Sequence, residues 1–460
     1  MDTNVKLKPY AYQEWGIEQE LKMKRCINGD DMGLGKSLEA IVAIERAKAT
    51  PCLVICPSAL KINWEREIRK FTRLRPLILS DANREAYPYY IGSLNLYDVL
   101  ICNYESLAKF FVVSLGEKPL KLKNFVFQKA VALLRSVIID ESARVKDPST
   151  RQAKIVMGLC QGKEYIFELT GTPIVNDPKD LATQIAILGR IKEFGGYSAF
   201  LDRYTNGNYS ELNRKIKESL YFRREKEEVL KDLPELTRAF VPVEIPVETR
   251  EEYNTCRHDL LTFLKEYKLL DDVQARKKMR MKALIRFMNL RAISGRGKAE
   301  TVVDFLCSTT VPIVVFAEHK DIVSAIKHSF PNETVTVTGS DSSQQKQYAI
   351  DSFQRGEKRI IICSIRAAGV GITLTAASNV LFVEIPWTYS DLAQCEARCH
   401  RNGQKNAVTS WIMIGQDTID DKLYNKILDK KSLLSRITGA TDSATFEDEK
   451  AFDELISLLS

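Results

Sequence analysis

Short apolar runs, each closed by polar or turn residues, recur along the first part of the chain: "CLVICPS" (52–58), "YDVLICNYES" (97–106), "SVIIDES" (136–142) and "YIFELTGTP" (165–173). Continuous runs of this kind predict strands buried on both faces, as in a parallel sheet covered by helices. Between them lie helical stretches such as "LEAIVAIERAKA" (38–49). The rhythm returns with "PIVVFAEH" (312–319), "KRIIICSI" (358–365), "SNVLFVEIP" (378–386) and "VTSWIMIG" (408–415), so two α/β domains are expected. From about residue 190 to 295 strand signals thin out and charged helical segments such as "ELNRKIKESLYFRREKEEVLKDLP" take over. The expected organisation is a first α/β lobe over 1–190, helical protrusions and a bridge over 191–295, a second lobe over 296–440 and an acidic C-terminal helix or tail over 441–460.

Two charged segments have simple explanations. "RKKMRMKALIRFMNLR" (276–291) carries seven Lys or Arg and no acid. It reads as a helix with Leu284, Phe287 and Leu290 packed inward and its charges in water, in preference to a nucleic-acid face. "FEDEKAFDELISLLS" (446–460) reads as an acidic amphipathic helix packed on the second lobe.

Lys and Arg exceed Asp and Glu by 67 − 60 = 7 among 460 residues, an excess that suits a phosphate-binding surface but also many other enzymes. The ten cysteines run from Cys26 to Cys399, several inside apolar runs and with no secretory signal before them, which points to a reducing compartment. No apolar run reaches the roughly 18 residues a membrane span needs, so no membrane partner is expected.

Candidate chemistry begins at "GDDMGLGKS" (29–37), which leads directly into a helical pattern. Gly33 and Gly35 permit a tight turn whose N–H groups approach phosphate, and the helix N-terminus adds favourable potential. Lys36 would reach the β- and γ-phosphates, and the Ser37 hydroxyl would ligate Mg²⁺. Asp30 stands where the strict G-x-x-x-x-G-K-[ST] pattern has its first Gly. "SVIIDES" then puts Asp140 and Glu141 at the end of a strand, where open α/β sheets bind ligands. Asp140 suits Mg²⁺ and Glu141 suits activation of the attacking water.

"QCEARCHRNGQ" (394–404) poses a choice between a metal knuckle and phosphate-directed arginines. Read as a helix ending at Asn402-Gly403, it places Gln394, Arg398 and Arg401 near one face, with Cys395 and Cys399 on the next. A structural zinc site usually takes four ligands and no second Cys or His pair lies nearby, so the cysteines read as small buried hydrophobes. Arg398 and Arg401 then suit charge stabilisation on a transferring phosphoryl group.

In order and spacing, these segments resemble the Swi/Snf-type branch of superfamily 2 helicase-like ATPases over nearly the whole chain. "YQEWGI" (12–17) is similar to the Q motif, "DDMGLGKS" to motif I, where the family shares the Asp, "CPSALKINWEREIRKF" (56–71) to motif Ia and "NYES" (103–106) to motif Ib. "DESARVKDPS" resembles motif II, "LTGTPIVND" (169–177) motif III, "AAGVGITLTAA" (367–377) motif V and "QCEARCHRNGQ" motif VI. "FRREKEEVLKDLP" (222–234) resembles a stretch peculiar to the branch, expected in the helical protrusion.

The resemblance implies two RecA-like parallel-sheet lobes of the P-loop NTPase class, ATP with Mg²⁺, and translocation on duplex or branched DNA that remodels or reanneals it or displaces bound protein. It assigns Lys36, Asp140, Glu141, Arg398 and Arg401 to catalysis. Gln13, for the adenine edge, joins Gly33, Gly35, Lys36, Ser37, Gly371 and Gln394 in binding nucleotide; Ser37 and Asp140 take Mg²⁺. Ser58, Thr172, Ser364 and Gly369 would meet DNA phosphates, giving affinity without sequence reading. Motif II departs from the family in having Ser142-Ala143 where His normally ends it, and Glu384 stands where many relatives have Asp, as in the HepA-related branch that includes annealing helicases. A compact monomeric bacterial, phage or viral translocase is expected, cytoplasmic beside the nucleoid, or nuclear in a eukaryote, and brought to its site by a recruiting protein. The competing readings are a single-strand DNA or RNA helicase of the same superfamily and a nucleotide-gated clamp with little turnover.

Overall fold

The computed structural model describes residues 8–116, 120–171, 178–205, 207–268, 273–365, 372–386 and 389–423. The chain divides into a unit ending at Lys231 and a second beginning at Asp232. In the first unit the strands are β1 (Arg25–Asn28), β2 (Cys52–Cys56), β3 (Pro76–Ile78), β4 (Val99–Asn103), β5 (Val112–Ser114), β6 (Val126–Phe127), β7 (Ser136–Asp140), β8 (Tyr165–Leu169) and β9 (Tyr221–Phe222). Seven of them form one sheet in the order β3-β4-β2-β7-β8-β1-β9, every neighbouring pair parallel, while β5 and β6 make a separate antiparallel pair. β2 and β4 are buried at every position, which is why "CLVIC" and "VLICN" show no polar alternation.

The second unit holds β10 (Leu236–Val243), β11 (Ile313–Phe316), β12 (Thr334–Val337), β13 (Ile360–Cys363), β14 (Asn379–Phe382) and β15 (Val408–Gly415). They make a parallel sheet in the order β10-β15-β14-β11-β13-β12. Alternate residues of its central strands feed two apolar clusters: Val314 and Phe316 join Phe353, Leu392 and Cys395, and Ile313 and Val315 join Val302, Ile322 and Ile326. Both architectures are the α/β class expected.

Two helices, Val247–Lys268 and Val273–Gly297, pack together in the second unit around Tyr253, Leu260, Leu264, Phe287 and Leu290, with Leu284 partly buried beside them. Their charges pair at Arg286–Asp259 (2.9 Å) and Arg296–Glu252 (2.7 Å). Just beyond, the wholly buried Lys298 donates to Asp420 (2.6 Å), which also accepts from Ser294. Such a buried pair is strongly destabilised by loss of either partner.

The stretch between 190 and 295 also contains strands β9 and β10, where helices dominate the sequence pattern. β9 has too few residues to show periodicity, and β10 is a sheet edge whose Pro242 weakens the strand signal. The helix expected to end at Asn402-Gly403 stops at Glu396. Leu374 N–H donates to the Arg398 carbonyl (2.8 Å) and the Gln404 amide to the Ala377 carbonyl (2.8 Å), so the segment bonds to chain outside it where a helical ladder would have continued. The segment 441–460, with its predicted acidic helix, lies outside the described residues.

Candidate nucleotide-binding site

β1 carries the chain into the loop 29–35, and the helix Lys36–Arg46 begins behind Gly35 at φ 97°. A Cβ on Gly35 would strike the Gln13 amide, so both its backbone and its surroundings select glycine. Gly33, at φ 89°, makes the preceding turn. Gln13 is buried; its Oε1 accepts from Tyr10 N–H (3.0 Å) and its Nε2 donates to the Leu34 carbonyl (3.0 Å). The side chain predicted to read a base edge is here fixed to the loop itself.

Lys36 folds over this loop, its ammonium donating to the carbonyls of Asp30 (2.7 Å) and Asp31 (3.3 Å). Desolvation lowers its pKa, while the charges of Asp30, Glu141, Asp31 and Asp140 oppose that shift. The carboxylates of β7 and its turn therefore lie within electrostatic reach of the P-loop lysine. Sheet order explains the proximity: β7 and β1 flank β8, so the two loops leave the same carboxyl edge roughly 10 Å apart at normal strand spacing. Ser37 occupies the first turn of the helix and is partly buried.

Asp140 closes β7 and is held by an indole: Trp64 Nε1–H donates to its Oδ2 (2.8 Å). The Tyr104 hydroxyl donates to its carbonyl (2.6 Å). Desolvation, followed by the charge of Glu141, pushes the Asp140 carboxyl up to about 7 against the Trp64 bond and Lys36. Such a carboxylate has unmet demand for positive charge. Together with Ser37 and the phosphates of a bound nucleotide, it fits a hard oxygen-ligated Mg²⁺, which keeps several waters and takes few protein ligands. Among the described residues no group of three or more His, Cys, Asp or Glu forms a metal cage. Glu141 follows in the left-handed region, at φ 55° and ψ 52°. Next to it the buried Ser142 donates to Gln184 Oε1 (2.9 Å), tying this turn to the helix Pro178–Ile187.

The sequence reading did not foresee two arginines in this site. Arg224 donates to both oxygens of the fully buried Asp30, to Glu39 (2.8 Å) and to the Tyr12 carbonyl. Asp30, the residue that breaks the strict P-loop pattern, is thus the counter-ion of a side chain far along the chain. Glu39 and Glu20 share the Asn28 amide at 3.1 Å each. Burial, then the Asp30 charge, pushes Glu39 up to about 8 despite Arg224, and burial also raises Glu20. Arg223 pairs with Asp31 (2.6 Å) and donates to the carbonyls of Gly29 and Gly171, each at 3.1 Å. "FRREKEEVLKDLP", expected in a protrusion, instead begins in strand β9 beside β1. A Cβ on Gly29 would run into the Tyr221 ring, so the loop also needs glycine where this strand crosses it. "RREK" reads as a solvated charge run, and only the unusual Asp30 hinted at a cationic partner.

The other predicted residues are placed as follows. Ser58 is exposed beyond the end of β2, and Ser364 is partly buried beyond the end of β13. Gln394 is partly buried on the helix Tyr389–Glu396. Arg398 is buried; burial raises the thiol pKa of Cys363, Cys395 and Cys399, and the Arg398 charge opposes each shift. Arg401 is partly buried and donates to the Ile372 carbonyl (3.4 Å). Thr172, Gly369 and Gly371 lie outside the described residues. Among the described residues no helix is long and apolar enough to cross a membrane.

Comparison with known proteins brings the same segments together. The SNF2-related domain matches residues 12–296, and the helicase conserved C-terminal domain matches residues 297–403. A Caenorhabditis elegans homologue of SWI/SNF-related matrix-associated actin-dependent regulator of chromatin subfamily A-like protein 1 is 28% identical, covering 98% of this chain and 64% of its own length. The Homo sapiens DNA annealing helicase and endonuclease ZRANB3 is also 28% identical, covering 95% of this chain and 40% of its own. The chain therefore spans less than two thirds of either relative. The Sulfolobus solfataricus SWI2/SNF2 ATPase core in complex with dsDNA is 24% identical over 95% of this chain and 94% of its own, with a TM-score of 0.44, too loose a superposition to weigh beside the domain matches.

Proposed function

The chain belongs to the SNF2-related family, and from that premise we propose that it hydrolyses ATP to track along duplex or branched DNA, remodelling or reannealing it or displacing bound protein. The observation that carries the reading is the convergence of Lys36, Asp140 and Glu141 at one sheet edge, behind a loop built for phosphate. The names of the relatives, which include a DNA annealing helicase, support DNA as the polymer.

Each residue has a task that its placement suits. Lys36 exchanges its two loop carbonyls for phosphate oxygens, while the N–H groups of the loop and the first turn of the helix line the anion. Asp140 and Ser37 hold Mg²⁺, which neutralises phosphate charge when bound. Glu141 takes the proton of the attacking water, and its left-handed backbone sets the direction of its carboxylate. Arg398 and Arg401 stabilise charge on the transferring phosphoryl group, the role motif VI implies. Ser58, Ser364, Thr172 and Gly369 meet the DNA backbone. The motor works where the DNA is, in the nucleoid or the nucleus.

Glu141→Gln is expected to lower ATP turnover by at least about 10²-fold, the scale of a lost general base, while leaving nucleotide and DNA binding within a few-fold of the parent. Phosphate release and fluorescence anisotropy on one preparation check both. Turnover retained in the variant removes Glu141 from the role of base.

A further inference from the structure

Four of the five residues from Phe222 to Lys226 bond directly to the P-loop. Gly29 N–H donates to the Phe222 carbonyl (2.8 Å), and Asp31 N–H to the Arg224 carbonyl (3.0 Å). In return Arg224 N–H donates to Asp30 Oδ1 (2.8 Å) and Lys226 N–H to Asp31 Oδ2 (3.1 Å). The guanidinium groups complete the contact. Arg224 binds Asp30, Glu39 and the Tyr12 carbonyl, packed against the rings of Tyr12, Trp15 and Phe222. Arg223 binds Asp31 and the carbonyls of Gly29 and Gly171. Between them they join the helix bearing Gln13, the P-loop, the helix that starts at Lys36 and the start of the segment resembling motif III.

Asp30 and Asp31 thus have two sets of obligations. Their carbonyls hold the Lys36 ammonium, and their carboxylates hold Arg224 and Arg223. A phosphate that drew Lys36 away would leave those carbonyls without their cationic partner, while the carboxylates stayed held by Arg224 and Arg223. The fixing segment continues through residues 225–231, after which the chain passes into the second unit.

We propose that Arg223 and Arg224 are positioning residues of the nucleotide site, and that Arg223 relays P-loop occupancy to residues 225–231 where the chain passes into the second unit. This rests on the reading of the P-loop as an ATP site. Arg224, with its fully buried carboxylate partners, sets the loop's shape; Arg223 has the partly exposed Asp31 as partner and can respond to it.

The test uses binding of a fluorescent ADP with Mg²⁺, so that it does not depend on turnover. Arg223→Ala is expected to weaken ADP about tenfold, a size in the range of one hydrogen-bonded charged partner, and Arg223→Lys to recover part of the loss. Asp31→Ala in the Arg223→Ala background should add little, because the two act as one unit. Hydrogen exchange of residues 225–231 should slow several-fold with ADP in the parent and stay unchanged in Arg223→Ala, a response that a merely structural arginine would not control. Parent-like ADP affinity, or parent-like ADP protection of 225–231, in folded Arg223→Ala overturns the proposal. If that variant does not fold, Arg223→Lys and Asp31→Asn are read by the same two criteria. A parent protein that binds ADP with these responses yet hydrolyses no ATP would refute the proposed motor activity and leave the positioning role standing.

Discussion

Glu141 holds a left-handed backbone that costs a residue with a Cβ roughly 1–2 kcal/mol, and Asp140 beside it keeps a carboxylate at the edge of burial. Trp64 and Tyr104 keep this turn in place, one through a carboxylate oxygen and the other through the backbone. Trp64 belongs to the segment resembling motif Ia, so that segment directly steadies the carboxylate proposed to take Mg²⁺. Trp64→Phe keeps an aromatic ring and removes only the donor and the indole's second ring. It is expected to raise the Mg²⁺ concentration for half-maximal ATPase activity by about three- to tenfold and to cost about 1–3 kcal/mol of stability, the penalty for a buried group losing its partner. Magnesium titration of turnover together with chemical unfolding checks this. An unchanged magnesium requirement would confine Trp64 to packing.

At the scale of elements, Glu384 ties two neighbouring strands of the second sheet together. It follows β14, and its carboxylate accepts from the Glu318 and His319 N–H groups after β11 and pairs with the His319 ring. Burial alone would raise its pKa, but His319, Arg291 and the backbone donors hold it down to about 2. A carboxylate depressed in the folded state stabilises above its unfolded pKa of about 4.5 and loses that contribution as pH falls toward 2. Glu384→Gln should therefore be less stable than the parent at pH 7, and the gap should narrow as pH falls through this window. Urea unfolding at pH 7, 4.5 and 3 measures it; a gap that does not narrow with acid contradicts the assignment.

The elements also show what could be read in advance. The parallel strands were legible because burial on both faces leaves an unbroken apolar run, as in "CLVIC" and "IVVF". The placement of Lys36 at a helix start and of Asp140 at a strand end was legible because each lies in a compact motif. The partnership of Asp30 with Arg224 was not, since 194 residues separate the two and "RREK" carries no local mark of burial. The end of the helix at Glu396 was hidden for the same reason, since Leu374 and Ala377, which bond to Arg398 and Gln404, lie more than twenty residues before them in the chain. The structure also gives Ser142 a partner in Gln184, next to the Ala143 that departs from the motif II pattern. Sequence could register that departure without showing what stands beside it.

For the whole molecule, two parallel sheets and two matched domains account for most of the chain, and the loop proposed to bind phosphate lies in the first unit while Arg398 and Arg401 lie in the second. The proposed motor must spend ATP in response to its track, so polymer and hydrolysis are expected to be coupled. The direct test is steady-state ATP turnover by the purified protein with no nucleic acid, single-stranded DNA, duplex DNA, forked DNA and duplex RNA, with Arg401→Ala alongside. Strong stimulation by duplex or forked DNA is expected, with weaker stimulation by single strands and loss of the response in Arg401→Ala. Equal turnover with every polymer and with none, or stimulation by single strands above duplex, would contradict it.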